Sequence, residues 1–159
     1  MSLEKTQVIK ALLAGLEREL AAIESVAEMA RDEATNPETK AEGKYDTRAT
    51  EASYLARGQA QRIAELRRLR AWYRQTHSTP SSHQAQIGLG SLVQIRGDRV
   101  DWIFLAPTGG GKVEIAGQAI RVISLSSPLG SALVEQEAGD SVEVDTPRGL
   151  HEMEILQVI

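Results

Sequence analysis

The chain has 159 residues, 42% of them hydrophobic and 25% charged, with a net charge of −4 and no cysteine. Such a composition fits one or two small globular domains. It excludes disulfides, thiolate nucleophiles and cysteine-based zinc sites, and no apolar run approaches the ~20 residues that span a bilayer.

In chain order, the first pattern is helical. From Gln7 to Ala34, apolar residues recur at Ile9, Leu12, Leu16, Leu20, Ile23, Ala27, Ala30 and Ala34. Steps of three and four make a stripe close to a heptad seam. Asn36-Pro37 interrupts it, because proline disfavours helix at the residue before it. A second helical pattern runs from about Thr47 to Arg74, through Ala49, Ala52, Ala56, Ile63, Leu66, Leu69 and Tyr73. Two such limbs joined by a short turn predict an antiparallel helical hairpin over residues 1–75, its tip at about 35–48. Limbs of roughly 28 residues would each be about 42 Å long at 1.5 Å per residue. Toward the tip the stripe is mainly alanine, which keeps that end slim. Residues 76–86, rich in Ser and Thr, read as a linker.

From Ile87 the period changes to that of strands. "SLVQIR" and "RVDWIFLAP" flank a Gly97-Asp98 hairpin signal. "TGGGK" reads as a hairpin turn, and "KVEIAGQAIRVISL" gives one or two strands about Gly117. Ser127 fits a helix N-cap and Pro128 the first helical position, with a short helix to about Gln136. "SVEVDT" and "HEMEILQVI" alternate around Pro147-Arg148-Gly149. The expectation for residues 87–159 is a small α+β domain, an antiparallel sheet of about five strands with one short helix.

Few residues advertise chemistry. The "TGGGK" run lacks the glycine and the Ser or Thr that complete a phosphate loop, since Ala106 and Val113 stand there. His77, His83 and His151 are scattered, with no metal-ligand spacing among them. Charge is uneven: residues 1–75 hold 13 Lys and Arg against 12 Asp and Glu, residues 76–159 hold 5 against 10. An overall basic footprint, expected of a generic duplex-DNA binder, is missing. Arg67, Arg68, Arg70 and Arg74 nevertheless cluster at the end of the second helix. They read either as a helix end favoured by the dipole or as a basic patch for RNA or an acidic protein surface. At the tip, Glu38, Glu42 and Asp46 are spaced by four. On a helix, each pair would set its Cβ atoms ~5–6 Å apart, close enough to share a Mg²⁺ with a partner's groups.

One stretch carries a resemblance. Ser127-Pro128-Leu129, a short helix, Gly139-Asp140, Val142-Glu143-Val144, Thr146-Pro147-Arg148-Gly149 and Glu154-Ile155-Leu156 follow one another within Val122–Val158. The run resembles the C-terminal domain of the bacterial Gre transcript-cleavage factors. The resemblance implies an FKBP-like β domain that docks on RNA polymerase through the loop Ser126, Ser127, Pro128 and Leu129. It implies a hairpin inserted in the polymerase's secondary channel, with Glu42 and Asp46 as candidate carboxylates that help hold a Mg²⁺ belonging to the polymerase active site. The factor would hold no cofactor alone and would not itself be an enzyme; nascent RNA is a possible further contact. Neither membrane association nor sequence-specific DNA binding is expected, and the location would be cytoplasmic. The tip departs from the family pattern: with Glu42 as the motif glutamate, Thr39 stands where an aspartate is usual. Two readings follow, a factor that stimulates RNA cleavage and a channel-binding regulator that does not. A third, from the fold type alone, is a proline isomerase. That activity needs an aromatic-lined pocket, for which this half offers only Trp102 and Phe104.

Overall fold

The computed structural model describes residues 3–35, 47–79 and 85–159. Two long helices, α1 (Lys5–Thr35) and α2 (Thr47–Ser78), precede six strands and a short helix. The chain divides into two compact units, Leu13–Arg74 and a second made of Met1–Leu12 with Gln75–Ile159. No helix among the described residues is long and apolar enough to cross a membrane.

Within the first unit, the heptad-like seam is buried at Leu16, Leu20, Leu66 and Tyr73. Three ion pairs tie the limbs: Arg62 to Glu19 at 2.8 Å, Arg74 to Glu17 at 2.7 Å, and Arg67 to Glu24. Between two of these pairs, as the acid moves back from Glu24 to Glu17, its partner moves forward from Arg67 to Arg74, as in antiparallel helices. Burial fades away from that seam. Val26, Met29, Tyr54 and Leu55 are 49–69% exposed, because the alanines around them bury too little surface to close over large neighbours. Helix α2 runs four residues past the expected end at Arg74. Nothing in Gln75–Ser78 breaks a helix, and the first proline beyond is Pro80.

The second unit is built on a mixed six-stranded sheet. Its strands are β1 (Leu92–Arg96), β2 (Val100–Ala106), β3 (Lys112–Ile115), β4 (Gln118–Ser124), β5 (Ser141–Thr146) and β6 (Gly149–Val158), with α3 (Pro128–Leu133) between β4 and β5. The spatial order is β3-β4-β2-β1-β6-β5. Three tight turns act as the sequence signals suggest. Residues 97–99 join β1 to β2. Ala116 and Gly117, both at positive φ (50° and 75°), join β3 to β4, a pairing suited to a two-residue hairpin. Pro147-Arg148 joins β5 to β6, where Thr146 Oγ1 donates to the Gly149 carbonyl at 2.9 Å.

One pairing differs from the expectation. Strands β2 and β4 lie parallel, Trp102 opposite Ile120 and Phe104 opposite Val122, so the sheet is not wholly antiparallel. The physical reason lies in burial. β4 carries the buried Ile120 and Val122, whereas β3 alternates exposed and half-buried residues. The apolar strand therefore takes the inner place beside β2, and β3 becomes the edge. "TGGGK" is then not a hairpin turn, since the strands on either side of it do not pair.

The core of this unit lies on one face of the sheet: Val93, Ile95, Ile103, Leu105, Val142, Val144 and Ile155 pack with Ile87 and with Leu133 of α3. The other face of the central strands is also closed, at Leu92, Trp102, Phe104 and Ile120. This is why Trp102–Ala106 reads as an unbroken apolar run instead of an alternating one. With Trp102 and Phe104 buried, neither offers the exposed aromatic wall that a proline-isomerase pocket requires.

Candidate functional site

The loop from β4 into α3 is held by a small set of polar contacts. Ser127 caps the helix with φ −69° and ψ 154°. Its Oγ accepts from the Gly130 N–H at 3.0 Å and donates to the Ser124 carbonyl at 2.7 Å, and Pro128 follows at the first helical position, as the sequence suggested. Ser124 and Ser126 share a hydroxyl hydrogen bond of 3.0 Å. Leu129 turns partly inward against the core, whereas Ser126 and Pro128 are exposed. Glycine at 130 is required here, because a Cβ would lie 2.0 Å from the Ser124 carbonyl oxygen.

The segment Pro107–Gly111 lies across from this loop. It is fastened to β4 by two main-chain bonds, Gly110 N–H to the Val122 carbonyl at 2.9 Å and Val122 N–H to the Gly111 carbonyl at 3.2 Å. A Cβ on Gly109 would come within 2.6 Å of the Ser124 nitrogen. Ser124 is thus gripped on its N–H side by Gly109 and on its carbonyl side by Gly130. Between the two loops opens a cleft of about 460 Å³, lined by Thr108, Gly109 and Gly110 on one side and Ser124, Ser126 and Ser127 on the other. No titratable side chain lines it. The sequence showed the Ser-Ser-Pro wall. It did not show the opposing glycine loop, for which the three consecutive glycines were the available signal.

The other candidates fall elsewhere. Glu42 and Asp46, with Glu38, lie outside the described residues. Among the described residues, no group of three or more His, Asp or Glu is placed to hold a metal ion. The four arginines of α2 do not form one uniform basic patch. Arg67 and Arg74 are engaged by Glu24 and Glu17 of the other limb, while Arg68 is exposed and Arg70 half-buried. Close by, burial pushes the Tyr73 hydroxyl up to about 12.

Comparison with known proteins bears on the sheet domain. Residues 83–159 match the family described as "Transcription elongation factor, GreA/GreB, C-term". A transcription elongation factor GreA of Rhizobium etli (strain CIAT 652) is 56% identical over 36 residues, which is 23% of this chain and 23% of that relative. Among solved structures, Thermus aquaticus Gfh1 is 20% identical over 94% of each chain with a TM-score of 0.39. The elongation factor GreA/GreB of Nitrosomonas europaea is 26% identical over 46% of this chain and 60% of its own, with a TM-score of 0.35. Overlap at those TM-scores is weak, and the assignment rests on the sequence match over the sheet domain. Residues 83–159 thus match the C-terminal domain of the GreA/GreB transcription elongation factors, and the chain spans about a quarter of the length of the curated relatives it matches.

Proposed function

We propose that the chain is a transcription elongation factor that docks on RNA polymerase through the Ser126–Leu129 loop and presents its helical hairpin to the polymerase's secondary channel. The observation that carries this reading is the family match over residues 83–159, whose Ser-Pro turn is here an exposed, rigidly capped loop. The two helices of 31 and 32 residues are each about 47 Å long at 1.5 Å per residue. At the end of the hairpin, Glu42 and Asp46 would lend oxygen ligands to a Mg²⁺ of the polymerase active centre, which then cuts its own backtracked RNA. The carboxylates would lower the barrier by placing the ion and its water; the chain would perform no turnover alone.

A second reading is favoured by one specific observation. With Glu42 taken as the motif glutamate, Thr39 stands where the family pattern has an aspartate, and one oxygen ligand would then be lost. The arm would then occupy the channel and modulate the polymerase without stimulating cleavage.

One experiment separates them. RNA cleavage is followed in a stalled, backtracked polymerase complex with the unsubstituted chain, Glu42→Ala and Asp46→Ala. Stimulated cleavage lost in both variants supports the carboxylate arm. Absence of stimulation, together with displacement of a cleavage factor from the polymerase, supports the regulator. Absence of any binding to polymerase overturns both.

A further inference from the structure

We propose that the glycine loop Pro107–Gly111 is the second wall of the docking site, and that the polymerase seats an uncharged protein segment in the cleft between this loop and Ser124–Ser127. The proposal rests on the docking reading above and adds to it which residues the partner meets and what chemistry it presents.

The lining of the cleft narrows the chemistry of its occupant. No Lys, Arg, Asp, Glu or His faces the cleft, so no charged side chain neutralises a phosphate or a cation there. No aromatic ring faces it either, so there is no platform on which a nucleotide base could stack. Small side chains, two hydroxyl-bearing rims and accessible main chain remain. Thr108 and Ser126 are exposed on opposite sides, and the segment Val122–Ile123 lies between them. A surface of this kind fits a neutral protein segment, held by van der Waals contact and a few hydrogen bonds. A charged segment would lose its water without gaining a counter-charge.

The two walls are also mechanically coupled. The glycine loop is bonded to Val122, the Ser-Pro turn is bonded to the Ser124 carbonyl, and Gly109 and Gly130 both close on Ser124. The cleft is therefore set before a partner arrives, and little ordering cost is left for binding. A partner that engaged the Ser126–Leu129 turn from the cleft side would meet Thr108 at once. The glycines are explained by backbone demands: Gly109 by close approach, Gly110 and Gly111 by φ of 124° and 78°. Those demands fix the loop's path and with it the width of the cleft.

The test is the affinity of core RNA polymerase for the full chain, measured by fluorescence with Thr108→Trp, Ser126→Trp, the double variant, and Glu143→Gln at an exposed position of β5 as the control. Unchanged thermal melting of each variant establishes that the fold is kept. Each tryptophan fills the cleft from one side. We expect about tenfold weaker binding or more for either single variant, a double variant no worse than about the weaker single one because the two share one contact, and no change for the control. Binding by Thr108→Trp equal to that of the unsubstituted chain, with Ser126→Trp impaired, would overturn the proposal and leave docking on the turn alone. Failure of the unsubstituted chain to bind polymerase is a different result: it removes the docking reading itself, and this proposal with it.

Discussion

The two units solve the problem of holding together by different means. The sheet domain closes both faces of its central strands, so that every side chain from Trp102 to Ala106 is buried. Among its described residues the unit Leu13–Arg74 has one seam of four buried residues, and from Tyr54 to Arg57 of α2 every residue is exposed. It supplements that seam with ion pairs whose side chains are themselves 38–57% exposed. The docking role proposed for the sheet domain would require a fixed surface, which dense packing supplies. Two helices alone cannot enclose a core, so the hairpin keeps its register through a periodic seam and charge pairs.

This contrast predicts a graded response to substitution. The largest effect should come from Phe104→Ala at a fully buried position of β2, about 3–5 kcal/mol in urea unfolding. A loss below about 1 kcal/mol would mean that the central strands are not packed on both faces. Gly130→Ala should cost about 1–3 kcal/mol, because the new methyl must displace the Ser124 main chain. It should also weaken polymerase binding, since the same displacement opens the cleft.

Tyr73, at 3% exposure the root of the hairpin seam, gives a pH signature. Its hydroxyl is raised to about 12 in the folded chain by burial, against about 10 when unfolded. Below pH 10 both states keep the proton and nothing changes. Between pH 10 and about 12 the unfolded state releases its proton first, so stability falls as pH rises, by about 2 kcal/mol at most. Urea unfolding at pH 9 and pH 11.5 should show that fall for the unsubstituted chain and a smaller one for Tyr73→Phe. Gly58→Ala should do the opposite of the core changes. Gly58 lies mid-helix, and a Cβ there meets nothing within 4 Å, so the change should stabilise the hairpin by about 0.5–1 kcal/mol.

How far the sequence disclosed this design depends on which residues carry it. The period of Ile9, Leu16 and Leu20 located α1 to within two residues at its start and one at its end. Ser127-Pro128 located the start of α3 to the residue. These are local signals, read from neighbours in the chain. The parallel pairing of β2 with β4 was hidden, because alternation tells which face a residue takes and not which strand lies beside it. Nor was the second wall of the cleft legible: glycines carry no side-chain chemistry, and their closeness to Ser124 arises only when β4 lies beside β2. The arginine cluster was legible as a cluster. That Glu17 and Glu24 engage two of its members was not, because they lie 57 and 43 residues away.

Those engagements lead to the smallest expected effect, and it bears most directly on function. A double-mutant cycle on Arg67 and Glu24 should give a coupling of about 0.2–1 kcal/mol, as for other exposed pairs. In 1 M salt, where the Debye length is about 3 Å, it should shrink toward zero. If the coupling is present, Arg67 reaches RNA or an acidic surface only by giving up Glu24. Glu24→Gln should then raise the affinity of the hairpin for an RNA oligonucleotide at low salt, whereas the exposed Arg68 should contribute equally in both backgrounds. A zero coupling at low salt would reverse the assignment: the pair would not hold the limbs, and Arg67 would be as available as Arg68 to a partner's phosphates.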